Sequence, residues 1–90
     1  MMAVYCVNHR VSDFAEWKKV YDAFQPTVKK RGIKDHFVLQ SLQDPNHVVV
    51  IGEGSAEDVQ ALLTSDELKA AMAESGVVGA PDVYIGEPGS

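Results

Sequence analysis

Asn8, His9 and Arg10 stand side by side where a run of small, β-branched and aromatic residues gives way to a helix start, and Trp17 and Tyr21 follow one helical turn apart. An imidazole titrates near neutrality, which makes His9 the best general base in this set. A carboxamide such as Asn8 orients a carbonyl or enolate oxygen, while paired aromatic rings stack on a flat substrate. His9 is therefore the candidate catalytic residue, and Asn8, Trp17, Tyr21 and Tyr84 are candidate ligand contacts. Flavin and nicotinamide signatures are absent, and no cofactor is expected. Each residue also has a plain structural use. His9 can bond a backbone carbonyl or a second subunit, Asn8 can close a strand end, Trp17 and Tyr21 can be core, and Tyr84 can bond its phenol internally.

Other chemistries find no support. The histidines at 9, 36 and 47 lack the spacing of metal ligands. Gly52-Glu53-Gly54 has neither the glycine fingerprint of a nucleotide loop nor the lysine of a phosphate cradle. Cys6 has no neighbouring base or positive end to make it a thiolate and reads as a small buried hydrophobe.

The elements that must position these residues follow from pattern. Ala3 to Val11 is a strand, and Asp13 caps the following helix with Glu16 three residues on. Phe14, Trp17, Val20, Tyr21, Phe24 and Val28 make one apolar stripe, and the helix runs to Arg31, with Gly32 stopping it. Pro26 removes a backbone donor, so a kink or brief break is expected there. Ile33 to Gln43 is a second strand, Asp44-Pro45-Asn46 a turn, and His47 to Glu53 a third strand. A second helix starts at Ser55 to Asp58, restarts at Ser65 and stops at Gly76. Val77 to Pro81 reads as a loop and Asp82 to Gly86 as the last strand. The order β-α-β-β-α-β is an α+β, ferredoxin-like arrangement. It implies an antiparallel sheet ordered 4-1-3-2 with two helices on one face, as one domain over residues 1–90.

One layer of helices covers one face of a sheet, yet Val4 and Cys6 oppose Tyr5 and Val7, and Val48 and Val50 oppose Val49 and Ile51. Both faces are apolar. Leaving four aliphatic side chains in water forgoes about 1.5–3 kcal/mol each, so a homodimer packed sheet to sheet is expected. The net charge of −5 divides into +2 over residues 1–45 and −7 over residues 46–90, which argues against a nucleic-acid partner. The basic run Lys29, Lys30, Arg31 and Lys34 lies at a helix end, where cations complement the helix dipole. No apolar run approaches the roughly 20 residues needed to cross a bilayer. With a lone cysteine and no pattern of a signal peptide, a cytoplasmic location is expected.

The segments "VNHRVSDFAEWKKVYD", "DPNHVVVIGE" and "TSDELKAAMAESGVVGAPDVY" resemble the dimeric α/β-barrel proteins, which include the antibiotic-biosynthesis-monooxygenase-like proteins. The likeness is strongest to small bacterial members of no assigned function. It implies two ferredoxin-like subunits with paired sheets and a small ligand held between the sheet and the helices of each subunit. Cofactor-independent oxygenases, haem-degrading enzymes, isomerases and cyclases share this architecture, and no strict catalytic motif unites them.

Strand directions independently bring Asn8, His9, Trp17, His47, Met72 and Tyr84 to one end, while His36 starts from the other. A pocket is expected where the first group meets. The expected function is a small-molecule-binding homodimer. It is either a cofactor-independent monooxygenase- or isomerase/cyclase-like enzyme acting on an aromatic or polyketide-like compound, or a non-catalytic metabolite-binding or interaction module. A third reading, haem binding, predicts a Soret band on titration.

Overall fold

The computed structural model describes residues 1–89. In chain order the elements are β1 (Met2–Val11), α1 (Phe14–Lys30), β2 (Lys34–Gln40), β3 (His47–Ser55), α2 (Ala56–Leu63), α3 (Asp66–Ser75) and β4 (Val77–Gly86). The strands form one antiparallel sheet ordered β2-β3-β1-β4, the expected ferredoxin-like order with β1 and β3 central. Among the described residues no helix is long and apolar enough to cross a membrane.

Burial along β1 has a period of two: Ala3, Tyr5, Val7, His9 and Val11 are buried, and the residues between them are not. In β3, Val48 and Val50 are buried in the same way. These side chains meet Trp17 and Val28 of α1 and Val59 and Leu62 of α2 in one core cluster, so the helices lie on that face. The other face carries Val4, Cys6, Val49 and Ile51, all half-buried, together with Phe37 and Leu39, which are exposed. An apolar second face is therefore present.

Local chemistry sets the helix ends. The Asp13 carboxylate accepts from the Ala15 and Glu16 amides, Ser55 Oγ from Asp58, and Ser65 Oγ from Leu68. The expected restart at Ser65 separates α2 from α3, so three helices replace the two of the sequence reading. Gly76 ends α3 with φ 80, in the left-handed region that spares glycine the steric cost of a Cβ.

Three boundary expectations change. α1 runs unbroken through Pro26, because Trp17 and Val28 anchor it to the core on both sides of the proline. β2 ends at Gln40: Ser41 Oγ accepts from the Gln43 and Asp44 amides and folds that segment into a bend instead of strand. Val77 to Pro81 is strand, not loop. Val77 and Val78 pair with Val11 and Arg10 across a register shift, and Gly79, with φ 74, supplies the irregular backbone there. Pro81 is tolerated because β4 is an edge.

Candidate functional site

Gly52 lies at the centre of a row across three strands, opposite Tyr5 on β1 and opposite Asp35 on β2. A Cβ at Gly52 would come within 2.5 Å of Asp35 Oδ1 and 2.6 Å of the Tyr5 hydroxyl. The missing side chain leaves the space through which the Tyr5 phenol reaches over β3 and donates to Asp35 Oδ1. Asp35 faces the helices because the register shifts between Asp35 and Phe37. That shift lets Asp35 and Val38 point inward while His36 pairs with Glu53 and Phe37 is exposed.

Helix α1 completes the cluster from above. Tyr21 donates its phenol to Asp35 Oδ2 at 2.5 Å, and Gln25, one turn later, donates its amide to the same oxygen at 3.3 Å. Burial, followed by the hydrogen bond and charge of Asp35, pushes both phenols far above their ordinary range. They stay protonated and act as donors throughout the physiological pH range.

The cluster forms the polar end of a cavity of about 70 Å³ between the sheet and the helices. Trp17, Phe24, Val50, Leu62 and Met72 supply apolar wall. An apolar enclosure with a few convergent polar groups is how small-molecule sites are built, although ordinary ones measure roughly 300–1,000 Å³.

The candidate residues divide between the two sides of the sheet. Trp17 is buried and stacks on Tyr21 with centroids 5.0 Å apart, and both line the cavity. His9 is buried on the same side and packs on the Trp17 indole at 5.3 Å, but it is not part of the cavity wall. Its Nδ1 is buried without a hydrogen-bond partner. Asn8 lies on the opposite face, where its Oδ1 accepts from His47 Nε2 at 2.7 Å. Tyr84 pairs with Cys6 on that face too and is 71% exposed. Adjacent strand residues point to opposite faces, so His9 faces the helices and Asn8 the open side of the sheet.

The sequence reading passed over Tyr5, Gln25, Asp35 and Gly52. A glycine inside an otherwise apolar strand signals close approach by another group, and Gly52 was such a signal. The bulge that turns Asp35 inward leaves no mark in local composition.

Two outcomes follow. Gly52→Ala forces Tyr5 and Asp35 apart, and urea denaturation is expected to record a loss of about 1–3 kcal/mol. Burial holds His9 below its ordinary pKa of about 6.5, and the nearby His47 adds to the effect. The unfolded chain then binds the proton more readily, so stability is full above about pH 6.5 and falls as pH drops from there toward the lower folded value. NMR titration of the His9 ring should give a midpoint below 6.5, and His9→Gln should flatten the fall in denaturation midpoint between about pH 7.5 and 5.5.

Comparison with known proteins accords with this architecture. A candidate antibiotic biosynthesis monooxygenase of Caulobacter crescentus superposes with a TM-score of 0.78 at 21% identity, over 99% of this chain and 91% of that one. SnoaB, a cofactor-independent oxygenase from Streptomyces nogalater, gives 0.81 at 12% identity, over 99% and 94%. A conserved protein from Methanosarcina mazei gives 0.71 at 20% identity, over 94% and 91%. At these identities the likeness is one of fold. No curated protein matches the sequence significantly. Residues 4–80 match the family described as a domain of unknown function, DUF3764, and with most of its length inside that match the chain belongs to this family.

Proposed function

We propose that the chain works as a homodimer, joined through its open sheet face, and that each subunit binds a small and largely apolar molecule between sheet and helices. The observation that carries the ligand reading is the cavity itself: an apolar enclosure ending in one carboxylate that three donors hold in place. Dimer formation is supported by the apolar residues on the uncovered face, where Phe37 is 59% exposed and Leu39 47%. A second copy of the same surface would remove both from water.

A second reading makes the chain a cofactor-independent monooxygenase- or isomerase/cyclase-like enzyme for an aromatic or polyketide-like compound. Its support is the fold shared with SnoaB and the stacked pair Trp17 and Tyr21 on the cavity wall. His9 would be the base, its neutral form favoured by burial. A polycyclic substrate needs more room than about 70 Å³, so this reading also requires the α2–α3 side of the cavity to open. Asn8 and Tyr84 would contact a ligand only at the seam between subunits. The binding reading asks for no such rearrangement and is the one we adopt.

Light scattering should give twice the chain mass for the native protein and the single-chain mass for Leu39→Asp; a monomeric native protein would remove the dimer. An NMR screen of small apolar and aromatic compounds should move the signals of Val50, Leu62 and Met72 together, and a screen that leaves all three unmoved would sink the ligand reading. Oxygen uptake with phenolic substrates tests the enzyme reading, and unchanged turnover in His9→Ala would take His9 out of the mechanism.

A further inference from the structure

Asp35 differs from the paired acids of the molecule. Asp22, Asp44, Glu16, Glu53 and Glu67 each meet a lysine, arginine or histidine, whereas among the described residues Asp35 takes part in no ion pair. Its partners are two phenols and a carboxamide, all neutral donors. Such donors satisfy the oxygens of a carboxylate and leave its charge unbalanced, which is costly beside an apolar cavity. The lysine beside the cluster does not supply the balance. Lys18 Nζ lies 5.8 Å from the centroid of the Tyr21 ring and is bonded to Asp22 at 2.7 Å.

Resting on the cavity as a ligand site, we infer that its ligand is a small cationic amine, a primary or secondary alkylammonium that places its charge on Asp35. An ammonium carries donors only and needs acceptors around it. The Asp35 carboxylate and the oxygens of Tyr5 and Tyr21 are such acceptors, clustered at one end of the cavity. Tyr5, Trp17, Tyr21 and Phe24 line the walls, and the face of an aromatic ring attracts a cation. An anionic ligand would meet the carboxylate head on, and a neutral alcohol would leave its charge as it is. A cavity of about 70 Å³ takes only a small ligand, so a short alkyl chain ending in the ammonium suits it. The net charge of −5 on the whole chain raises the local concentration of such a cation.

The experiment compares n-butylammonium, n-butanol and butyrate at matched ionic strength and neutral pH, with binding to the full chain followed by NMR at Val50, Leu62 and Met72. The expected result is at least a tenfold preference for the ammonium over the alcohol, with butyrate weakest. In Asp35→Asn the preference disappears while the alcohol still binds. Equal binding of ammonium and alcohol to the native chain, or tighter binding of butyrate, overturns the amine inference and leaves the cavity as a site. Failure of all three to bind overturns both. The native-chain comparison decides the matter even if Asp35→Asn does not fold.

Discussion

Four strands with apolar residues on both faces, and helices enough to cover one, set the main constraint on this molecule. The alternation along β1 sends Tyr5, Val7 and His9 into the helical layer and leaves Val4, Cys6 and Asn8 on the other side. Everything chemical is sorted by that alternation before any particular side chain is considered. The interior between sheet and helices receives Tyr5, Trp17, Tyr21 and a buried imidazole, and the opposite face receives Asn8, His47 and Tyr84. The helices do not reach the far edge: Val83 and Ile85 pair with Val7 and Tyr5 on β1 but remain 46% and 40% exposed.

Within the covered layer, a polar cluster is bought by an omission. Gly52 has no side chain, so a tyrosine from one neighbouring strand and an aspartate from the other meet above it. The bulge after Asp35 then returns β2 to the pattern its apolar residues require, with Phe37 and Leu39 opposite Ile51 and Val49. Tyr21 and Gln25 close the cluster from α1, and the same helix carries Trp17 one turn earlier. The carboxylate of β2 is consequently tied to both β1 and α1, and a shift in either alters its surroundings.

The sequence carried the strand order clearly, because β1 and β3 are the most apolar segments and the capping signals at Asp13, Ser55 and Ser65 are short-range chemistry. Trp17 and Tyr21 were legible as neighbours for the same reason, being one turn apart on an apolar stripe. The site was less so. Tyr5 and Asp35 are thirty positions apart and meet only through register, which depends on where a bulge falls. Val77 to Pro81 looked like a loop because glycine, alanine and proline are loop-forming locally, yet an edge strand accommodates them with a single register shift. The side of the sheet taken by His9 was also open until the burial of its neighbours decided it.

Trp17 is the chain's one tryptophan, and it is 4% exposed. It touches Phe14, Tyr21 and His9 and forms part of the cavity wall. All indole fluorescence from a chain therefore originates at this one point, with no background from elsewhere in the fold. The emission colour reports how dry the wall is, and its intensity responds to the charge on the adjoining imidazole. The protein carries its own optical gauge of the space between sheet and helices, readable without a label.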